Sequence, residues 1–333
     1  MIHANRDEVT YLKASVELNF AKSQQPTIRL GGNKQMKEVK NVTVAGCGTI
    51  GSQIAYQTAF KNFNVTIYDI DDTAIKAGKQ RLTNIAKRYR DDLDLSDYQT
   101  RMIYDNIHFQ TSLEKAVKYA DLVIEAIPEV KEIKSDFYKK IAEFASEQAI
   151  FTSNSSTMLP SELAEDTGRP EKFMMMHFSN EIWKNNSAEI MKHAHTSPQT
   201  FLTVEQFAEH IGMLPLPLYK EHPGYILNSL LNPLFGAAQR LLIDGIADVE
   251  TIDKTWMAAT GAEQGPFGSL DAIGLETVYH VSKLIGDSGD ESSKQIAEYI
   301  KKNYLEKGKL GAASGEGFYT YPDPVFKDTD FLL

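Results

Sequence analysis

Cysteine is nearly absent from this sequence of 333 residues, which contains only Cys47. An internal disulfide is therefore excluded, and so low a cysteine content fits the reducing cytoplasm. Long apolar runs are also missing, since none approaches the ~20 residues of a membrane span. The first 30 residues are polar and lack the apolar core of a secretory signal. We therefore expect a cytoplasmic protein.

Positive charge is in deficit as well. The 35 lysines and arginines are outnumbered by 45 aspartates and glutamates, which gives a formal net charge of −10 at pH 7. Such a charge argues against nucleic acid or an anionic membrane as the main partner. The length suits two domains of roughly 150 residues each. We predict a small molecule as the partner, with no nucleic acid, no membrane and no metal site.

The clearest motif lies at residues 42–51, VTVAGCGTIG. An apolar, β-branched run is followed by three glycines and then by apolar residues at helical spacing. A strand, a glycine turn and a helix start form the context that the dinucleotide fingerprint GxGxxG requires. In it, Gly46 permits the sharp turn, Gly48 lets the backbone approach a pyrophosphate, and Gly51 lets the helix pack on the strand. Free N–H groups at the helix start would meet the phosphate charge.

The loop residues predicted to bind the cofactor are Gly46, Gly48, Thr49, Ile50 and Gly51. A second strand, within VTIYDID at 65–71, ends in Asp69, 18 residues after Gly51. An acidic residue at this distance can bind the hydroxyls of the adenosine ribose, and it would repel a 2′-phosphate. No arginine follows at once, so the pattern favours NAD over NADP. The alternative, an ordinary glycine turn in a βαβ unit, leaves Asp69 unexplained.

The chain alternates between strand and helix patterns up to about residue 220. Strands are predicted at 41–45, 64–69, 106–110, 120–128, 149–154, 173–178 and, as an edge strand, 213–219. Helices are predicted at 72–90, 91–107, 129–147 and 200–212, the first two as a helical hairpin. Such alternation is typical of a doubly wound parallel sheet. From 223 to 305 strand signals vanish and helical periods dominate.

The change of pattern places a domain boundary at about 220–224. We therefore predict an NAD-binding domain at 39–221 and a helical domain for substrate binding and dimerisation at 222–333. Residues 1–38 show no sustained periodicity, and we predict a mobile or loosely attached extension. A short helix over 7–21 that docks elsewhere is the alternative.

Four polar residues are candidates for chemistry at an alcohol or ketone carbon. Hydride transfer there needs a general acid/base, a group that orients it, and donors that hold the oxygen. His177 ends an apolar strand, and Glu189, 12 residues on, is an isolated carboxylate in an apolar run that needs a partner. Ser156 and Asn228 are candidate donors from two other parts of the chain. Taken alone, His177 also fits a satisfied structural histidine.

From about residue 40 to 321 the chain resembles the 3-hydroxyacyl-CoA dehydrogenase family. The matching stretches occur in the family's order and spacing: VTVAGCGTIGSQIA, ADLVIEAIPE, IFTSNSST, HFSN, AEIM, PGYILNSLL, GPFGSLDAIGLET and GEGFYTY. The resemblance implies an α/β fold, with a Rossmann-like, doubly wound, mostly parallel sheet and a C-terminal all-helical domain that usually forms a homodimer. It also implies an NAD-dependent oxidoreductase.

The resemblance also implies residue roles. His177 matches the catalytic acid/base, Glu189 matches its orienting carboxylate, and Ser156 and Asn228 match the residues that hold the substrate oxygen. On the cofactor side, the matching positions are Asp69, Glu129, Lys134, Ser156 and Asn180.

Some positions depart from the family pattern. Glu181 and Trp183 follow HFSN where the family usually reads HFFNP, which suggests a narrower or more polar acyl pocket. The two positions that bind the CoA nucleotide in the family are Ile85 and Asp92 here, and the Ala313–Ser314 pair replaces a lysine. The acidic residues near these positions are Asp91, Asp94 and Asp97. Unless Arg88 and Arg90 face the site instead, such residues would repel CoA phosphates by roughly 4 kcal/mol per pair at 4 Å and a dielectric of about 20. The chain is therefore closer to a branch similar to diketoreductase.

We predict an enzyme that interconverts 3-hydroxyacyl and 3-oxoacyl substrates by hydride transfer with NAD. One alternative is the reduction of free 3-oxo or 3,5-dioxo acids and esters. Another is an NAD(H)-binding sensor or structural protein without catalysis. The stretches 225–246 and 265–275 could form a dimer interface or belong to the core.

Overall fold

The computed structural model describes residues 39–333, so the predictions for residues 1–38 lie outside the described residues. The strands between residues 39 and 333 form one sheet of eight in the order β3-β2-β1-β4-β5-β6-β7-β8. Their bounds are β1 Asn41–Ala45, β2 Asn64–Tyr68, β3 Ile107–Gln110, β4 Leu122–Glu125, β5 Ile150–Ser153, β6 Phe173–Phe178, β7 Ser187–Met191 and β8 Leu214–Leu218. The predicted α/β class with a mostly parallel sheet is confirmed.

Helices connect the strands and continue beyond the sheet. Their bounds are α1 Thr49–Phe60, α2 Asp72–Leu93, α3 Asp97–Asp105, α4 Leu113–Val117, α5 Lys131–Phe144, α6 Pro198–His210, α7 Tyr225–Ile243, α8 Val249–Thr260, α9 Pro266–Ile273, α10 Leu275–Asp287 and α11 Glu291–Asn303. None of the helices in this part of the chain is both long enough and apolar enough to cross a lipid bilayer.

The antiparallel strand β7 was not predicted. It pairs with β6, and every other pairing in the sheet is parallel. Its sequence, SAEIM, is short and carries a glutamate among apolar residues, so it has no clear alternation. Tertiary burial makes it a strand, because it fills the space between β6 and the edge strand β8. The edge position predicted for 213–219 is confirmed by β8.

The predicted second helix of the hairpin, 91–107, is wrong at its start. Helix α2 continues to Leu93, and Asp94 then adopts a left-handed conformation with φ 55°. Helix α3 begins only after Ser96, whose hydroxyl accepts from the backbone N–H of Gln99 while the Gln99 side chain accepts from the backbone N–H of Ser96. This reciprocal cap sets the start of the helix.

The helical part has a core of its own. Phe235, Phe267, Leu270 and Ile300 are buried in it together with other apolar residues of α7–α11. The stretch 265–275 is therefore mostly core, in line with one of the two alternatives left open for it. By contrast, α7 and α10 leave apolar side chains exposed: Ile226, Leu230, Leu241, Val281 and Leu284.

Candidate active site

The glycine turn follows β1 at the carboxyl edge of the sheet. Gly46 has a φ of 96°, and a Cβ there would lie 2.4 Å from the carbonyl oxygen of Ala126. A Cβ on Gly51 would lie 2.0 Å from the carbonyl oxygen of Gly46. A Cβ on Gly48 would meet no atom of the described chain within 4 Å. The turn and the helix packing therefore require two of the glycines, whereas Gly48 faces open space at the start of α1.

Asp69, at the end of β2, is held against this turn. Its Oδ2 accepts from both the backbone N–H and the thiol of Cys47, at 2.9 Å each, and its Oδ1 accepts from the N–H of Ile70 at 2.8 Å. Burial, helped by the hydrogen bond to Asp69, raises the pKa of the Cys47 thiol to about 12. The thiol is thus protonated at neutral pH and orients the carboxylate toward the turn.

His177 lies at the end of β6 with a partner on each ring nitrogen. Nδ1 is 3.1 Å from Oε2 of Glu189, and Nε2 is 3.1 Å from the hydroxyl of Ser156. His177 and Glu189 are directly opposite each other in the β6–β7 ladder, so the antiparallel register creates the pair. An ionised carboxylate can only accept, which assigns the ring proton to Nδ1 and leaves the lone pair of Nε2 facing Ser156.

The second oxygen of Glu189 binds the start of α7. Oε1 accepts from the backbone N–H groups of Ile226 and Leu227 at 2.9 Å each. Burial alone would raise the pKa of Glu189, but the hydrogen bonds from His177 and from these N–H groups hold it below its ordinary value. Glu189 is therefore ionised at neutral pH although its exposed fraction is only 3%.

Tyr225, the first residue of α7, was missed by the sequence analysis. Its ring stacks on the imidazole of His177, with the centroids 4.4 Å apart and the planes inclined by 15°. Its hydroxyl donates to the carbonyl oxygen of Ser155 at 2.7 Å. The available signal was an aromatic side chain directly after Pro223 and Gly224. Its partners could not be read from the sequence because they lie in the sheet.

Glu129 holds the loop that carries Ser156. Its Oε1 accepts from the hydroxyl of Ser155 (2.5 Å), from the N–H groups of Ser156 and Thr157 (3.0 Å each) and from the hydroxyl of Thr157 (2.8 Å). Its Oε2 is 3.2 Å from Nζ of Lys134. Burial opposes the ionised form, but these donors and the lysine keep the pKa of Glu129 below its ordinary value.

Lys134 is also bound to a second carboxylate that the sequence analysis missed. Its exposed fraction is 1%, and its Nζ lies 2.5 Å from Oε1 of the fully buried Glu125. Oε2 of Glu125 accepts from the hydroxyls of Ser153 and Tyr138, at 2.7 and 3.2 Å. The sequence did contain a signal for Glu125, because it ends the apolar strand LVIE, just as Glu189 lies among apolar residues in SAEIM. A buried carboxylate needs such partners.

A cavity of about 210 Å³ opens between the glycine turn and the loop after β5 that carries Ser155 and Ser156, here called the serine loop. It is lined by Ile50, Ala126, Ile127, Glu129, Lys134, Asn154 and Ser156. The helix start beside it has no side-chain cap from the described residues. Uncapped N–H groups, open space at Gly48 and the carboxylate of Asp69 fit the pyrophosphate and ribose of a dinucleotide.

Comparison with known families decides the identity. The family model described as "3-hydroxyacyl-CoA dehydrogenase, NAD binding domain" matches residues 41–222, and the model of the family's C-terminal domain matches residues 224–321. The chain belongs to the 3-hydroxyacyl-CoA dehydrogenase family. As members of the family do, it uses NAD as its cofactor and is an oxidoreductase acting on CH–OH groups.

This chain matches nearly the whole length of each of the following relatives. A probable 3-hydroxybutyryl-CoA dehydrogenase of Bacillus subtilis is 30% identical over 286 residues, which is 86% of this chain and 99% of the relative. A solved structure described as a diketoreductase acting on dicarbonyl compounds is 48% identical, with a TM-score of 0.82, over 86% of this chain and all of the other. An (S)-3-hydroxybutyryl-CoA dehydrogenase of Ralstonia eutropha is 28% identical, with a TM-score of 0.75 and the same coverage.

Two residues predicted from the family form no side-chain hydrogen bond within residues 39–333. Asn228 lies in the first turn of α7, directly after Leu227, and is half-buried. Asn180 is exposed in the loop after β6, where its carbonyl oxygen accepts from the side chain of Asn185 at 2.8 Å. The structure thus joins His177, Glu189 and Ser156 directly. Asn180, in the loop after β6, and Asn228, in the first turn of α7, have side-chain amides that form no hydrogen bond with the described residues.

The segment after HFSN, residues 181–184, is bonded to helix α2. Glu181 pairs with Arg88 at 2.5 Å, while Trp183 Nε1 donates to Asp92 at 2.8 Å and Lys184 pairs with Asp92 at 2.9 Å. The charges on this face of α2 are therefore neutralised within the chain itself. Ile85, on the same helix, is buried in the core.

We expect opposite behaviour from alanine at two glycines of the turn. Gly48→Ala should fold normally, because φ −66° suits alanine and no atom of the described chain lies near, yet its methyl group would occupy the space of the pyrophosphate. We expect the Kd for NADH to rise about tenfold or more. Gly51→Ala should lose about 1–3 kcal/mol of stability or more through overlap with the backbone.

Isothermal titration with NADH and thermal unfolding separate the two effects. Gly236→Ala is the matched control, because Gly236 is inside α7 with no atom of the described residues near its added Cβ. If Gly48→Ala bound NADH as tightly as the wild type, the cofactor could not approach this turn closely.

Proposed function

We propose that this enzyme interconverts a 3-hydroxy compound and its 3-oxo counterpart, with His177 as the general acid/base. The proposal rests on one observation: both ring nitrogens of His177 have a hydrogen-bond partner, Glu189 at Nδ1 and Ser156 at Nε2. NAD supplies the hydride acceptor for oxidation, and NADH supplies the donor for reduction.

The side chains divide the proton chemistry between them. A substrate oxygen bound by Ser156 would lie within reach of Nε2 of His177, because those two atoms are 3.1 Å apart. In oxidation Nε2 takes the hydroxyl proton as C3 loses its hydride, and in reduction it returns a proton to the oxygen. The carboxylate of Glu189 stabilises the imidazolium. We assign Asn228 as a second donor to the substrate oxygen, since it lies one residue beyond the N–H groups that bind Glu189.

The cofactor is assigned to the glycine turn, Asp69 and the cavity beside it. Thr49 and Ile50 contribute N–H groups at the start of α1, and Asn180 is proposed to lie near the nicotinamide. Glu129 and Lys134 border the cavity. Their contacts with the serine loop and with Glu125 support a role in shaping this site in addition to touching NAD.

For the substrate we propose a free 3-oxo or 3,5-dioxo acid or ester. Two features of α2 support this class. Ile85 is buried, and Asp92 is engaged by Trp183 and Lys184, so neither position matched to the family's CoA contacts offers a group to a nucleotide. The 48% identity to the diketoreductase points the same way. A CoA thioester is the second candidate, and the names of the Bacillus subtilis and Ralstonia eutropha relatives favour it.

A substrate panel tests both candidates. NADH oxidation is measured with acetoacetyl-CoA, acetoacetate, ethyl acetoacetate and an ethyl 3,5-dioxo ester, and the panel is repeated with NADPH. We expect kcat/KM for a free ester to exceed that for acetoacetyl-CoA by about tenfold or more, with NADH preferred over NADPH. A preference for the thioester would favour the second candidate. NADH binding without turnover of any compound would indicate a non-catalytic NAD(H)-binding protein.

The helical part, residues 222–333, is proposed to form a homodimer interface next to the NAD-binding domain at 39–221. Leu230 on α7 and Leu284 on α10 expose 67% and 73% of their surface, and burying both against a second copy of the chain would be favourable. Light scattering should show a dimer for the wild type and a monomer for Leu230→Asp combined with Leu284→Asp. Leu214→Asp, on the edge strand, is the control. A cytoplasmic location stays a prediction.

A further inference from the structure

Tyr225 lies at the junction of sheet and helices, and its environment is unusual in two ways. The side chain is fully buried, and the backbone has a φ of 55°, which bulky residues rarely adopt. Such a conformation is strained for a bulky side chain and persists only where the surroundings impose it. In this case the surroundings are the imidazole of His177 on one side and the loop of Ser155 on the other.

The first turn of α7 contacts three parts of the candidate site at once. The ring of Tyr225 stacks on His177, its hydroxyl binds the carbonyl oxygen of Ser155, and the next two N–H groups bind Glu189. Ser155 is the neighbour of Ser156, which contacts Nε2 of His177. One turn of helix therefore contacts the base, its carboxylate and the loop that carries the oxygen-binding hydroxyl.

The two hydrogen bonds of His177 act only at the edge of the ring, at Nδ1 and Nε2, so neither restrains a face of the imidazole. The aromatic ring of Tyr225, 4.4 Å away and inclined by only 15°, lies against one face and limits tilting of the imidazole toward it. The same ring face is favourable for the imidazolium that forms during oxidation, since a cation within about 6 Å of an aromatic ring is attracted to it.

We propose that Tyr225 is a positioning residue that holds the imidazole of His177 at the angle required for proton transfer. The inference rests on the acid/base role proposed above for His177. Because Tyr225 belongs to α7 and His177 to β6, the angle of the imidazole then depends on how the helical part docks on the sheet.

The test compares Tyr225→Leu with Tyr225→Phe. Tyr225→Leu removes the aromatic face and should lower kcat about 10–100-fold, as expected when a base is displaced by about 1 Å, with the Kd for NADH unchanged. Tyr225→Phe keeps the stack and should recover most of the lost kcat. Tyr56→Phe is the matched control, because Tyr56 is buried and its hydroxyl has no partner among the described residues. We expect it to keep the wild-type kcat.

A second readout does not depend on turnover. The Nδ1 proton of His177, shared with Glu189, should give a downfield NMR resonance, assigned by its disappearance in His177→Asn. We expect this resonance in the wild type and in Tyr225→Phe, and its loss by exchange in Tyr225→Leu. The proposal is overturned if Tyr225→Leu keeps both the resonance and kcat, or if only thermal stability and KM change. Failure of the proposed function is distinct, because it would appear as an inactive wild type with a normal resonance.

Discussion

His177→Asn is expected to lower kcat about 10²–10⁴-fold in both directions, the usual contribution of a positioned general acid/base. Asparagine can still donate to Glu189, but it has no group that accepts a proton at neutral pH. The substrate oxygen would then have to exchange its proton with water. Stopped-flow NADH oxidation under saturating substrate measures the effect.

Two measurements show whether the loss of kcat in His177→Asn comes from the chemical step. The Kd for NADH should be unchanged, because none of the contacts of His177 among the described residues involves the glycine turn. His210→Ala, an exposed histidine at the end of α6, should keep full activity. Full kcat in His177→Asn would show that another residue transfers the proton and would end the assignment.

Glu189→Gln is expected to lower kcat by a comparable factor, about 10²–10⁴-fold. The amide oxygen of glutamine can still accept from the N–H groups of Ile226 and Leu227. Its NH₂ group, however, would face Nδ1 of His177 and favour the tautomer in which the proton is on Nε2. The base would then present a proton where it must present a lone pair, and no carboxylate would stabilise the imidazolium.

NADH affinity again separates chemistry from folding. We expect it to stay near the wild-type value in Glu189→Gln, and Glu209→Gln, an exposed carboxylate on α6, should behave as the wild type. Parallel losses of kcat and of NADH affinity would point to a folding defect.

Glu189 should also contribute to acid stability. Its pKa is lowered in the folded state by the bonds to His177 and α7 that outweigh its burial. A carboxyl with a depressed folded pKa stabilises the protein above its unfolded value, about 4.3, and this contribution is lost as pH falls through the lower folded value. Between about pH 5 and about pH 3, the Tm of the wild type should therefore fall more steeply than that of Glu189→Gln.

Opposite contributions from other carboxyls cancel in this comparison. Burial raises the pKa of Asp253 and Asp271 in the helical core despite their hydrogen bonds, so each opposes folding more at neutral pH than in acid. Both proteins retain these groups. Parallel Tm curves for the wild type and Glu189→Gln would contradict the lowered pKa of Glu189.

Much of the fold was predictable because the relevant signals are local. The β-branched run before Gly46, the three glycines and the acid at the end of the next strand lie within 28 residues. The apolar strands β4, β5 and β6 are recognisable for the same reason, since burial on both faces requires continuous apolar sequence. Strand β7 escaped prediction because its identity depends on its neighbours β6 and β8.

The candidate site was predictable in its residue types and not in its connections. His177 and Glu189 were paired from the cost of an isolated buried carboxylate, but their contact depends on an antiparallel register that no local pattern encodes. The same cost applies to Glu125, whose partner Lys134 lies on the following helix. The only local signal for Tyr225 was an aromatic side chain after Pro223 and Gly224, and it did not reveal the partner, because stacking on an imidazole depends on how α7 docks against the sheet.

The amino-acid sequence by itself determined the dinucleotide turn, the alternation of strands and helices, and the kinds of side chain available for chemistry. These features follow from backbone freedom at glycine and from periodic burial, which act over a few residues. The tertiary structure alone decided that one imidazole is held by a carboxylate from β7, a hydroxyl from the loop after β5 and an aromatic ring from α7. Contacts between residues 12 to 48 positions apart depend on register and docking, which only the packed chain specifies.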